Sequence, residues 1–144
     1  MLLLGATGFS GSHLREAAER AGHRVVGTSR SGEGAELACD LLDPDAVEAA
    51  VAEAKPELVV NMAGSASVAR SWNRREETFA VNAGGAQNLL QTLSARAPDA
   101  HVVCVSSAEV YGEVTEEAMP LHEEEVPRPV SPYGDSKLAM EELC

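Results

Sequence analysis

The chain has 144 residues and a mass of 15.1 kDa, with 44% hydrophobic and 24% charged residues. That composition supports a single core burying about 68–70% of the unfolded surface and excludes a disordered chain. Eleven basic against 23 acidic residues give a net charge of −12 and a pI near 4.6. This repels phosphate backbones and anionic lipids, and no apolar run approaches the ~20 residues of a membrane span, so nucleic acid and membrane partners are excluded.

The first apolar run, Leu2–Leu4, reads as a strand: it lacks the basic flank and cleavage site of a signal peptide. A glycine-rich turn follows, then a helix over 12–21 with Leu14, Ala17, Ala18 and Ala21 at helical spacing and Gly22 as its stop. Residues 24–28 form the second strand and 35–38 a short third. Asp43-Pro44 opens a helix to Ala54, by the N-cap and N1-proline rule. A fourth strand at 58–62, a long helix at 74–97 and a fifth strand at 101–106 follow, then an acidic, proline-bearing loop at 112–130. A last helix starts at Pro132. The alternation predicts an α/β fold, a Rossmann-like doubly wound parallel sheet, as one domain over residues 1–144. Gly84 and Gly85 inside the long helix are each unfavourable by about 1 kcal/mol relative to alanine and predict a close backbone approach there.

Charge is uneven: residues 39–60 carry −5 and 102–144 carry −8, while the first 38 are balanced. The N-terminal third can therefore receive an anion. There, Gly5-Ala6-Thr7-Gly8-Phe9-Ser10-Gly11 lies between a strand and a helix, where glycines permit a tight turn that presents amide N–H groups to a pyrophosphate. The spacing is GxxGxxG rather than GxGxxG. About 20 residues on, where an acid would hold an NAD ribose, the chain has Thr28-Ser29-Arg30. Arg30 is a fixed cation suited to a 2′-phosphate, and Ser29 adds a hydroxyl, which points to NADP with NAD as the alternative. The competing reading is a solvated arginine neutralised by Glu33 and Glu36.

Tyr133 and Lys137 stand at i and i+4, so the ammonium can stabilise a phenolate on the same helix face. A lone YxxxK pair is common on exposed helices. Here it accompanies Ser106-Ser107 at the end of the fifth strand, where open α/β sheets place ligands. Cys39, Cys104 and Cys144 show no CxxC spacing and the four histidines are dispersed, which predicts neither a disulfide framework nor a metal site and fits a reducing, cytoplasmic setting.

Taken in order, GATGFSG, Asp40-Leu41, VVNMAGSASV, Asn82, SSAEVYG and PRPVSPYGDSK resemble the extended short-chain dehydrogenase/reductase superfamily, specifically the NAD(P)-dependent nucleotide-sugar epimerase/dehydratase family. Ser71-Trp72 and RPVSPY are most similar to its GDP-mannose dehydratase and GDP-4-keto-6-deoxymannose reductase branch. The resemblance implies that Gly5, Thr7, Gly8, Phe9 and Gly11 hold the pyrophosphate, that Asp40 and Leu41 hold the adenine, and that Ala63 and Gly64 meet the ribose and nicotinamide side. It implies a catalytic set of Ser107, Tyr133 and Lys137. Tyr133 exchanges a proton with the sugar C4 oxygen, Ser107 hydrogen-bonds that oxygen, and Lys137 lowers the tyrosine pKa and binds the nicotinamide ribose.

Glu109 matches the position where dehydratases of the family carry the base for the C5 proton, but Ala108 cannot act as the acid for the leaving hydroxyl. A reductase needs no such acid. The resemblance further implies a nucleotide-sugar substrate, a homodimer built on the long and YxxxK helices, and a chain continuing into a C-terminal lobe, so the sequence is expected to be a fragment or shortened product. Three readings stay open: a nucleotide-sugar reductase, dehydratase or 4-epimerase; a non-catalytic dinucleotide-binding module; and a remnant or a subunit completed by a partner.

Overall fold

Leu2, Leu3 and Leu4 form strand β1 (Leu2–Leu4), and all three side chains are buried because the sheet is covered on both faces. The computed structural model describes all 144 residues. Four more parallel strands, β2 (Val26–Ser29), β3 (Leu37–Ala38), β4 (Leu58–Asn61) and β5 (His101–Cys104), complete the order β3-β2-β1-β4-β5. The register sets Leu2 against Val26 on one side and Val59 on the other. Successive side chains point to opposite faces: Leu2, Leu4 and Val59 pack with Val47, Val51, Leu89 and Leu93, while Leu3 and Val60 pack with Ala6, Ala18 and Val25.

These two clusters assign the helices. Helix α1 (Phe9–Arg20) covers the Leu3 face, and α2 (Pro44–Ala54) and α5 (Gly85–Arg96) cover the Leu2 and Leu4 face. Asp43 caps α2 by accepting from the Asp45 and Ala46 amides at 3.0 and 3.4 Å, and Pro44 is its first residue. Helix α6 (Pro132–Glu141) begins where expected and is capped by Ser131, which accepts from the Gly134 amide at 3.0 Å.

Several boundaries differ from the sequence reading. Helix α1 starts at Phe9, three residues early, because glycine caps it without a side chain. Strand β2 starts at Val26 and runs to Ser29, β3 is limited to two residues, β4 stops at Asn61, and β5 stops at Cys104. The expected helix over 74–97 is instead α4 (Arg75–Phe79), a π-helical segment Ala80–Gly84, and α5, preceded by the unexpected one-turn helix α3 (Val68–Ser71). The acidic loop contains a 3₁₀ turn at Glu116–Ala118.

The two helix glycines have different causes. A Cβ on Gly85 would lie 2.8 Å from the Leu41 Cβ, so the close approach is real there, with the Asn88 amide donating to the Leu41 carbonyl at 2.8 Å beside it. A Cβ on Gly84 would meet nothing within 4 Å, and no close approach accounts for that residue. Gly85→Ala is therefore expected to destabilise by about 1–3 kcal/mol through overpacking. Gly84→Ala should be neutral or stabilising by about 0.5–1 kcal/mol, with urea unfolding of the two variants as the check.

Candidate functional site

Strand order reverses between β1 and β4, and the segments leaving the carboxyl ends of β1, β2, β3 and β4 line one cleft of about 380 Å³. It collects nine of the residues expected at the cofactor: Gly5, Thr7, Gly8, Ser29, Arg30, Asp40, Leu41, Ala63 and Gly64. Cys39, Leu42, Met62 and Val81 complete its wall. Phe9 and Gly11 lie outside it. Phe9 is 84% exposed and meets the His13 ring edge-on at 5.0 Å, whereas Gly11 is pressed against the turn beneath.

The turn has the form an anion cradle requires. Gly5 has φ +77°, and a Cβ there would lie 2.8 Å from the Ala63 amide nitrogen, while a Cβ on Gly11 would lie 2.1 Å from the Gly5 carbonyl oxygen. The Gly8 amide donates to the Gly5 carbonyl at 3.1 Å, and α1 begins beside the cleft-lining Gly8 with no side-chain cap, so no side chain claims the donors of its first turn. A pyrophosphate fits this geometry.

Arg30 is exposed at the cleft edge and takes part in no ion pair. The acid nearby is engaged elsewhere: Glu36 accepts from the Gly27 amide at 2.8 Å and from Arg15. Burial works to raise the Glu36 pKa, but those two donors outweigh it and hold the carboxyl below its usual value. The Ser29 hydroxyl donates to the Glu33 carbonyl at 3.0 Å. Asp40 accepts from the Leu42 amide at 3.0 Å, which fixes its carboxylate at the cleft floor. The Cys39 thiol is pushed up to about 11 by burial and by Asp40 and Asp43, so it lines the cleft as an unreactive group.

A second cleft of about 190 Å³ contains Tyr133 and Lys137 and shares Met62 and Gly64 with the first. Of the Ser106-Ser107 pair it takes Ser106, beside Ser10 and Ser65. Ser107 instead caps the 3₁₀ turn Ala108–Tyr111 by accepting from the Glu109 amide at 3.3 Å, and Glu109 is exposed on that turn, so neither lines the cleft. The structure thus brings Tyr133 and Lys137 to the cleft wall and leaves Ser107 and Glu109 beside it.

Lys137 is 8% exposed, and its Nζ donates to the Val105 carbonyl at 2.8 Å, which leaves two of its three protons free. Burial pushes the ammonium below the ordinary lysine value, and Cys104 and Glu141 restore part of that shift.

Three buried polar residues, none of them identified as site residues from sequence, hold the helix that carries this pair. Asn82 accepts from the Ser65 amide at 2.8 Å and donates to the Ser65 carbonyl at 3.1 Å and to the Ser136 hydroxyl at 2.9 Å. Ser136 donates on to the Tyr133 carbonyl at 2.7 Å. Ser71, fully buried, accepts from the Tyr133 amide at 3.2 Å. The available signals were a polar residue placed between Val81 and Ala83 in a helix and the serine before Trp72.

Because the folded pKa of Lys137 lies below its unfolded value, the unfolded chain binds more protons between those two values. This group's contribution to stability therefore rises with pH through that window. The urea midpoint of Lys137→Met should accordingly gain less than wild type as pH rises towards 10.5. Equal slopes for the two proteins would contradict the buried charge.

A sequence profile of the NAD dependent epimerase/dehydratase family matches residues 1–144. The chain is 42% identical over 105 residues to GDP-6-deoxy-D-mannose reductase of Pseudomonas aeruginosa, covering 73% of this chain and 34% of that protein. It is similar to the solved structure of RMD from Pseudomonas aeruginosa complexed with NADPH, with a TM-score of 0.84 and 36% identity over 99% of this chain and 46% of that one. It also resembles UDP-glucose 4-epimerase from Brucella ovis in complex with NAD, with a TM-score of 0.89 and 27% identity over 99% of this chain and 45% of that one. The chain spans less than half the length of these relatives. On the strength of the profile match and of the glycine turn, the parallel sheet and the Tyr133/Lys137 helix, the chain belongs to the NAD dependent epimerase/dehydratase family.

Proposed function

We propose that this chain forms the dinucleotide-binding and proton-transfer half of an NADP-dependent nucleotide-sugar oxidoreductase of the 4-keto-sugar reductase type. The observation that carries the reading is the continuity of the two clefts: Met62 and Gly64 line both, so a ligand held at the α1 glycine turn extends to Tyr133 and Lys137.

The residues present fit a nicotinamide dinucleotide. The cradle at Gly5, Gly8 and Gly11 has no room for a Cβ at Gly5 or Gly11, and the amides of Phe9, Ser10 and Gly11 are the donors available to the pyrophosphate. Arg30 would hold a 2′-phosphate, because a guanidinium pairs with a phosphate in two parallel hydrogen bonds and no carboxylate competes for it here. Asp40 and Leu41 bound the adenine end, and Ala63 and Gly64 the end towards Tyr133. When bound, the dinucleotide supplies hydride exchange with a sugar carbon.

Tyr133 then holds or releases the proton of the sugar C4 oxygen. The two uncommitted protons of Lys137, on the same helix one turn on, can hydrogen-bond a ribose. Ser107 serves as the hydroxyl partner of the C4 oxygen, since it only accepts from the Glu109 amide and keeps its own proton to donate. The exposed Glu109 beside it is the carboxylate available for proton abstraction in a dehydratase, but Ala108 provides no acid for the leaving hydroxyl, which favours reduction. The 42% identity to GDP-6-deoxy-D-mannose reductase supports the same choice. A nucleotide-sugar 4-epimerase remains the second reading and is separated by assaying C4 inversion of UDP-glucose.

Titration of the chain with NADPH and NADH, followed by Trp72 fluorescence and by melting temperature, is the test, because a ligand that binds only the native state raises apparent stability. NADPH is expected to bind at least about tenfold more tightly than NADH. Arg30→Ala should abolish that preference while leaving NADH affinity unchanged. If neither dinucleotide shifts the melting temperature, the proposal fails.

A further inference from the structure

Helix α6 carries a third ionisable side chain in step with the first two: Tyr133, Lys137 and Glu141 stand at i, i+4 and i+8. The segment leaving β5 is tied to this helix at two successive residues. The Val105 carbonyl accepts from Lys137 at 2.8 Å, and the Ser106 hydroxyl, which lines the Tyr133 cleft, donates to the Glu141 carboxylate. The titratable groups acting on Lys137 are Cys104 from β5 and Glu141 from α6 itself. Burial, the Cys144 thiol beside it and its hydrogen bond to that thiol push Cys104 up to about 11, so near neutral pH Cys104 is an uncharged thiol.

We propose that Glu141 is a positioning residue for the Tyr133/Lys137 site. Through its hydrogen bond to Ser106 it clamps the segment carrying Ser106 and Ser107 against α6, and its charge lies one turn beyond the buried Lys137 on the same helix. The inference rests on the proposed role of Tyr133 and Lys137. Both halves follow from one carboxylate: its hydrogen bond fixes where the segment sits, and its charge offsets part of the cost of burying a cation one helical turn away. Loss of the charge with retention of the hydrogen bond, as in Glu141→Gln, separates them, since an amide oxygen still accepts from Ser106.

The chain contains two lysines, Lys55 and Lys137, so a ¹³Cε-lysine spectrum has two signals and Lys55→Arg assigns them. The titration is run on the full chain without dinucleotide. In Glu141→Gln the Lys137 ammonium should become more acidic by about threefold or more, with the Lys55 titration unmoved. Glu141→Asp, which keeps the charge, supplies a second reading and should leave the Lys137 titration closer to wild type than Glu141→Gln does. An unchanged Lys137 titration in folded Glu141→Gln, or a Glu141→Asp titration that matches that of Glu141→Gln, overturns the inference.

NADPH binding is measured on the same samples. Intact NADPH binding with no Lys137 response sinks the Glu141 role alone. A Lys137 response in a chain that binds no dinucleotide sinks the proposed function and leaves the charge coupling standing.

Discussion

The cleft depends on one backbone contact, the start of α1 resting on the carbonyl of Gly5. A Cβ on Gly11 would lie 2.1 Å from that oxygen, closer than any side chain tolerates, so the helix enters at this distance only with glycine. The consequences are geometric. Strand β1 can turn within a few residues, α1 lies against the Leu3 face of the sheet, and the uncapped first turn faces the carboxyl ends of β1 and β4. Every other long helix entered from a loop is capped by a side chain, Asp43 for α2 and Ser131 for α6. The exception is the helix whose free donors a phosphate would take.

The other wall is held by polar contacts rather than by close packing. Ser71, Asn82, Ser136 and Lys137 are buried, and each has a hydrogen-bond partner; no buried side-chain nitrogen or oxygen is left unsatisfied. Such a network is stable only when complete, because each lost partner leaves a desolvated polar group behind. It also fixes the helix in rotation and translation at once: Ser71 holds the Tyr133 amide, Asn82 the Ser136 hydroxyl, and Val105 the Lys137 ammonium. A purely apolar contact would leave the position of α6 along its axis less sharply defined, and the role proposed for Tyr133 requires that position to be fixed.

The parallel sheet, the glycine turn and the Tyr133/Lys137 pair were legible from sequence because each rests on local rules: strand and helix periodicity, glycine between strand and helix, and i,i+4 spacing. Leu2–Leu4 and the start of α6 at Pro132 were placed correctly for that reason. The release of Arg30 was not legible. Glu33 and Glu36 lie close by in sequence, and only tertiary structure turns Glu36 towards Gly27 and Arg15. Ser71 and Asn82 carry no local pattern either, since their partners lie 62 and 54 residues away. Helix α3 escaped notice because four residues are too few to show a period. The placement of Ser106 rather than Ser107 in the cleft wall turns on the backbone conformation after β5, which the pair Ser-Ser does not specify.

The π-helical segment at Ala80–Gly84 resolves a conflict of phase. Within it, Val81 reaches the first cleft and Asn82 reaches Ser65 and Ser136; downstream, Gly85, Leu89 and Leu93 meet Leu41 and the sheet. A regular helix advances about 100° per residue, so one residue accommodated in a wider turn shifts the facing of everything beyond it relative to everything before it. The segment therefore acts as a phase adapter between its own cleft-facing residues, Val81 and Asn82, and a downstream half that answers to the core. Deleting a single residue there would leave each half intact in composition but force a choice between them: either Leu89 and Leu93 stay buried and Asn82 rotates off α6, or Asn82 stays and the core loses its leucines.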